Sequence, residues 1–234
     1  MTFEDLLPFL EDEIGDADEE PDGVGVHAGW GHDRGCIVLW KVTPLFAEWL
    51  SSPTNPLFNS ILTASSSVLE LGCGISPLNA FAVAPRISQY VLSDQTYVQK
   101  LVTQNLAANP LPTKKSKSKT KSAPESQNIE FRVLNWEEDE VTTALASPAS
   151  SFDVTCVDVC MLREKEGQDE ERQPCVCVVA QQLRNDDVFR SWLSAFMAKF
   201  RVWRVREELL KGLTARDGFV VHVGVLRDAG KPAD

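Results

Sequence analysis

The stretch SVLELGCGISPLNAF, residues 67–81, constrains the fold more than any other part of the chain. An apolar run of strand length meets Gly72-Cys73-Gly74, and residues with helical spacing follow. In such a strand–turn–helix the first glycine permits a tight turn and the second lets a ligand approach the backbone. Ser76 and Pro77 suit an N-cap and a first helical turn, which aims backbone N–H groups into the turn. A dinucleotide site needs a third glycine for close helix–strand packing, and Pro77 stands at that position. The dinucleotide fingerprint therefore fails.

Strand and helix patterns alternate along the rest of the chain. Strands are expected at 68–71, 90–93, 130–134, from 152, 175–180, 201–205 and 219–227, and helices at 77–83, 96–108 and 186–200. Repeated strand–helix units imply an α/β fold with a mostly parallel sheet and helices on both faces. The final strand can insert antiparallel. Ahead of this, GCIVLWKVTPLFAEWL passes from an apolar strand to a helix that Thr43 can cap, with Pro44 at its first position.

Residues 1–33 form an acidic N-terminal extension in this reading, with Phe3, Leu6, Leu7, Phe9 and Leu10 on one face of a surface helix. The domain proper is 34–228, and 229–234 is a tail. Within the domain, 110–126 carries five lysines among Ser, Thr and Pro and reads as a disordered insert. At 234 residues the chain has room for one well-buried α/β domain. No apolar run is long enough to span a membrane, and the acidic start does not resemble a secretory signal. The expected location is the cytoplasm, with the nucleus as the alternative. A net charge of −11 repels phosphate backbones and argues against direct nucleic-acid binding, while it suits a cationic partner. The six cysteines lack zinc spacing and read as reduced thiols, and no metal site is expected. His27, His32 and His222 form no constellation.

Asp94 ends the next strand about 20 residues beyond Gly74, where a carboxylate can accept both hydroxyls of a ribose. Its competing role is to cap the helix that follows. After the third strand comes LNWEED, in which Asn135 can read an adenine amine and Trp136 can lie against the ring, or both can pack the loop. Glu70 holds either the turn or a ligand amine, and Cys73 contributes backbone. Trp40, judged by its surroundings alone, reads as core.

These stretches, with the long C-terminal block VCVVAQQLRNDDVFRSWLSAFMAKFRVWRV and DGFVVHVGVLR, resemble the seven-strand protein-lysine methyltransferases. Within them the chain resembles the fungal ribosomal-protein lysine methyltransferase 5 group. The resemblance implies a Rossmann-like seven-strand sheet and S-adenosyl-L-methionine as cofactor. It also implies monomethylation of a lysine on a large-subunit (60S) ribosomal protein. Carried onto this chain, the cofactor contacts are Trp40, Gly72, Cys73, Gly74, Asp94 and Trp136; no residue is assigned as catalytic. The segment after the fourth strand is shorter than in that group and lacks its acceptor-side tyrosine, since Tyr90 and Tyr97 are the chain's only two. Two registers fit it. Either 152–158 is the strand, with Cys156 or Val157 beside the adenine, or the strand stops at Val154 and 155–163 is helical. The alternative function is a cofactor-binding but inactive module of the same fold.

Overall fold

The computed structural model describes residues 2–17, 40–111, 128–135, 138–140, 142–149, 152, 154–157 and 175–227. The apolar segment expected before Trp40, nearly all of the Lys/Ser-rich insert, Trp136 and the crossover after residue 157 lie outside them.

Among the described residues eight strands make one sheet: β1 (Leu10–Glu13), β2 (Ser67–Leu71), β3 (Gln89–Asp94), β4 (Ile129–Val133), β5 (Val154–Val157), β6 (Val176–Gln182), β7 (Phe200–Val205) and β8 (Phe219–Leu226). Their spatial order is β1-β7-β8-β6-β5-β2-β3-β4. Strands β2 to β6 pair in parallel. The last strand, β8, is antiparallel to both neighbours and sits between β6 and β7. Strand order reverses at β2, which has β3 on one side and β5 on the other. In an open α/β sheet such a switch point leaves a crevice at the carboxyl ends of the strands.

Alternation along each strand sorts the core into two faces. Val68, Tyr90, Leu92, Val176, Val178 and Val221 lie in one cluster with α1 (Val42–Ser51), α2 (Pro56–Ser60), α3 (Leu78–Val83) and α4 (Thr96–Ala108). Leu69, Val91, Cys177, Val179 and Val220 face the other way, with α5 (Asp186–Met197) laid across them through Phe189, Leu193 and Phe196. His222 is fully buried in β8, its ring 5.9 Å from those of Phe189 and Trp192.

Three local expectations are corrected. The N-terminal segment is no surface helix: residues 3–5 and 7–9 are 3-10 turns, and 10–13 is a strand on the sheet edge. Pro8 sits mid-segment, where it removes a helical N–H and clashes with the preceding turn. Pairing with β7 instead satisfies the backbone, and Arg201 and Arg204 clasp Glu13 and Glu11 at 2.6 and 2.5 Å. Phe3 lies 4.9 Å from Trp203, so these residues belong to the domain's core. Second, α1 is capped by Lys41, placing Thr43 and Pro44 inside the first turn, where the missing proline N–H has no helical partner to lose. Third, residues 154–157 pair with β2 on one side and β6 on the other, which excludes the helical register for 155–157.

Candidate functional site

The glycine turn follows β2 directly. Gly72 and Gly74 hold φ of +67° and +58°, the left-handed region that a Cβ disfavours. A Cβ on Gly74 would meet nothing within 4 Å, so the backbone there borders open space. The α3 helix starts at Leu78 with Pro77 at its N-cap, so Ser76 is not the cap.

Asp94 closes this turn from the neighbouring strand. Its Oδ2 accepts the Gly74 N–H at 2.8 Å and its Oδ1 accepts the Gln95 N–H at 2.7 Å. Gln95 is the N-cap residue of α4, so Asp94 is not serving as that cap. The carboxylate is 6% exposed, and each oxygen keeps a further lone pair for a ligand hydroxyl. Cys73 N–H donates to the Ser93 carbonyl at 3.1 Å, and the Asn105 amide donates to the Ile75 carbonyl at 2.7 Å. Three points on β3 and α4 therefore hold a turn that belongs to β2 and α3.

Beneath the turn lies a buried carboxylate. Glu70 Oε1 accepts from the Asn79 amide at 2.7 Å, and its Oε2 accepts from the Tyr90 hydroxyl at 2.9 Å. Of the two roles open to Glu70, these bonds support holding the turn. Sequence reasoning missed Tyr90 and Asn79, because each reads as an ordinary strand or helix residue until the fold brings it to Glu70. Tyr90→Phe removes a hydrogen bond to the carboxylate of a residue 6% exposed. Such a loss costs about 2 kcal/mol, to be read as a lower urea midpoint with an unchanged slope.

Cys73 is 7% exposed. Burial pushes its thiol far above the ordinary range, and the Glu70 and Asp94 carboxylates push the same way. The thiol is therefore neutral in the folded chain and ionises first in the unfolded one. Stability is intact below the unfolded thiol value of about 8.5 and falls as pH rises beyond it. Iodoacetamide at pH 8 is expected to label Cys73 only after denaturation, as read by peptide mass spectrometry. Cys73→Ala should flatten the decline in melting temperature above that pH.

Asn135 follows β4 at the same sheet edge. Its N–H donates to Asp139 Oδ2 at 2.8 Å, and its carbonyl accepts from the Asp139 N–H at 2.7 Å. Trp40 is neither core nor joined to the turn by a direct bond. It is 45% exposed, just before α1, and the Arg184 guanidinium lies 4.6 Å from its ring centroid. Arg184 follows β6, so Trp40 too stands at the carboxyl edge of the sheet. Gly72, Cys73, Gly74 and Asp94 are brought into contact, Trp40 and Asn135 flank them along one edge, and Trp136 is outside the described residues. Among the described residues no cluster could hold a metal ion, and no helix is long and apolar enough to cross a membrane.

A sheet that reverses at β2, an inserted antiparallel last strand and a glycine turn clasped by an acidic residue define a Rossmann-like methyltransferase fold. The family model described as lysine methyltransferase matches residues 20–165, and the chain belongs to that family. Over 143 residues it is 24% identical to Ribosomal lysine N-methyltransferase 5 of Candida glabrata, covering 52% of this chain and 40% of that protein. The namesake from Zygosaccharomyces rouxii is 25% identical over 151 residues, or 52% of this chain and 48% of that protein. A shorter match, 38% over 72 residues, is to Diaminohydroxyphosphoribosylamino-pyrimidine deaminase of Schizosaccharomyces pombe, covering 31% of this chain and 17% of that protein. The chain thus spans about half the length, or less, of these curated relatives. Among solved structures, the tRNA (m1A58) methyltransferase TrmI from Aquifex aeolicus is 14% identical, with a TM-score of 0.48 over 85% of this chain and 74% of that one. The N-methyltransferase NodS from Bradyrhizobium japonicum is 11% identical, with a TM-score of 0.43 over 80% and 86%.

Proposed function

We propose that the chain is an S-adenosyl-L-methionine-dependent protein-lysine N-methyltransferase acting on a large-subunit ribosomal protein, to which it adds a single methyl group. The observation that carries this reading is the Gly72-Cys73-Gly74 turn, held open beside Asp94 at the switch point of the sheet. Family membership supports lysine as acceptor, and the two relatives of about 25% identity support a ribosomal substrate.

The residues present fit the donor. Gly74 leaves room for a ligand against its backbone, and Asp94 would accept the ribose hydroxyls with the lone pairs left after Gly74 and Gln95. Asn135 and Trp136 are assigned to the adenine, and Trp40 to the cofactor's side of the crevice. When bound, the donor supplies an electrophilic methyl group on a sulfonium. The protein's own work is positioning and exclusion of water. A lysine acceptor must shed its proton to attack, and a partly apolar mouth lowers its pKa by desolvation. No side chain is required as a base, and none is assigned. The net charge of −11 favours a lysine-rich partner over a phosphate backbone.

The test is methylation of isolated 60S subunits with labelled donor, followed by protease and nuclease digestion. Label in a protein band that yields monomethyl-lysine on hydrolysis is the expected result. Label lost to nuclease would overturn the protein acceptor. A second reading, a cofactor-binding module without transferase activity, is favoured by the tyrosines: Tyr90 is bonded to Glu70 and Tyr97 lies in the first turn of α4, so both belong to the half of the chain that carries the glycine turn. Donor binding without transfer to any ribosomal protein would support it.

A further inference from the structure

Resting on the donor reading above, we infer that Arg184 is a positioning residue of the cofactor site, acting through Trp40. Trp40 precedes α1, and its carbonyl accepts the Thr43 N–H at 3.1 Å, which fixes its backbone at the helix start. The α1 helix packs chiefly on α3, and α3 begins just after the glycine turn. Both helices start at the carboxyl edge of the sheet, so Trp40 lies beside the crevice.

Among the described residues the contact recorded for the Trp40 indole comes from outside its own segment. At 45% exposure, a side chain at a helix start is free to leave its rotamer unless a neighbour restrains it. Arg184 is that neighbour. Its guanidinium covers one face of the indole at 4.6 Å from the centroid. The guanidinium is itself oriented: Nε and Nη2 both donate to Gln182 Oε1, at 2.9 and 2.7 Å. Gln182 ends β6 and is therefore set by the sheet. The chain of restraint runs from strand to amide to guanidinium to indole, and the ring keeps 45% exposure through which a ligand can reach it. A planar guanidinium suits this stack better than an ammonium, because it presents a flat surface while two of its N–H groups stay bonded in plane.

The experiment measures S-adenosylhomocysteine affinity by calorimetry for the full chain, Arg184→Ala, Trp40→Ala and the double variant. Cation–π stacking at an exposed site corresponds to a change of roughly threefold in a dissociation constant. Arg184→Ala is expected to weaken binding by about that factor, and to have no further effect once Trp40 is Ala. Arg184→Lys should recover part of the loss. Acrylamide quenching of Trp40, taken as the difference from Trp40→Phe, should rise in Arg184→Ala at an unchanged melting temperature. Equal losses in both backgrounds, or unchanged quenching, would overturn the proposal, because Arg184 would then act on the ligand or the fold directly. Wild-type chain that does not bind S-adenosylhomocysteine overturns the donor reading and this proposal with it. Wild-type binding that Arg184→Ala leaves intact overturns this proposal alone.

Discussion

Asp94→Ala is expected to weaken S-adenosylhomocysteine binding about a hundredfold. The carboxylate is nine-tenths buried and bonded through both oxygens to backbone N–H groups, one on each side of the crevice floor. Its remaining lone pairs are the acceptors offered to a ribose. Two charge-assisted hydrogen bonds to a ligand, at about 1.5 kcal/mol each, amount to the factor of a hundred. Asp94→Asn separates the ligand's share from the turn's. The amide keeps one acceptor oxygen and turns an N–H₂ on a backbone donor, so an intermediate loss of about tenfold is expected. Calorimetry on folded variants is the measurement. An affinity within threefold of wild type for Asp94→Ala would restrict Asp94 to clasping Gly74.

The second large effect is on stability. Gly224 lies in β8, opposite Cys177 of β6 and Val202 of β7. A Cβ at this position would enter the ring of Phe196, with Cε1 3.0 Å and Cε2 3.3 Å away. Phe196 cannot yield cheaply, because its ring stacks 5.1 Å from Trp192 and 4.6 Å from Phe200. Gly224→Ala is therefore expected to cost about 3 kcal/mol, at the upper end of overpacking, and to lower the urea midpoint at constant slope. Gly74→Ala makes the contrast. Its Cβ meets no atom within 4 Å, so the cost is the left-handed backbone, about 1 kcal/mol. A Gly224→Ala chain as stable as wild type would mean that α5 is not held against β8 at this point.

The parts of the fold written in local pattern were legible. Strands β2, β3 and β6 are apolar runs bounded by turn residues, and α4 coincides with its expected span. The antiparallel last strand was legible as a possibility because it follows β7 through a connection with no long helix. What escaped has one cause: it depends on partners distant in sequence. The Phe3–Leu10 spacing suits a helix, and only Arg201 and Arg204, almost two hundred residues on, show why 10–13 is extended. The register of β5 was ambiguous because a four-residue strand carries too few side chains to declare a period, and pairing on both edges decides it. In the site, the glycines and Asp94 were readable from spacing, whereas the Glu70–Tyr90–Asn79 network joins three elements and leaves no short-range mark. Trp40 was read as core because its neighbours in sequence are apolar; the guanidinium on its exposed ring comes from β6.

The insertion of β8 between β6 and β7 has a consequence for biosynthesis. Among the described residues the last strand, β8, is an interior strand, and the first, β1, pairs with β7. Until residues 219–226 leave the ribosome, β7 can pair with β1 but nothing joins that pair to β6, whose flank stays open. At cellular elongation rates β1 waits on the order of 10–40 s for its place. During that interval the nascent chain exposes the apolar residues around β1 and, once β6 is made, its open edge, the kind of surface that chaperones shield. A ribosome stalled before Phe219 would hold an open sheet, and the emergence of Leu226 lets β8 close it between β6 and β7.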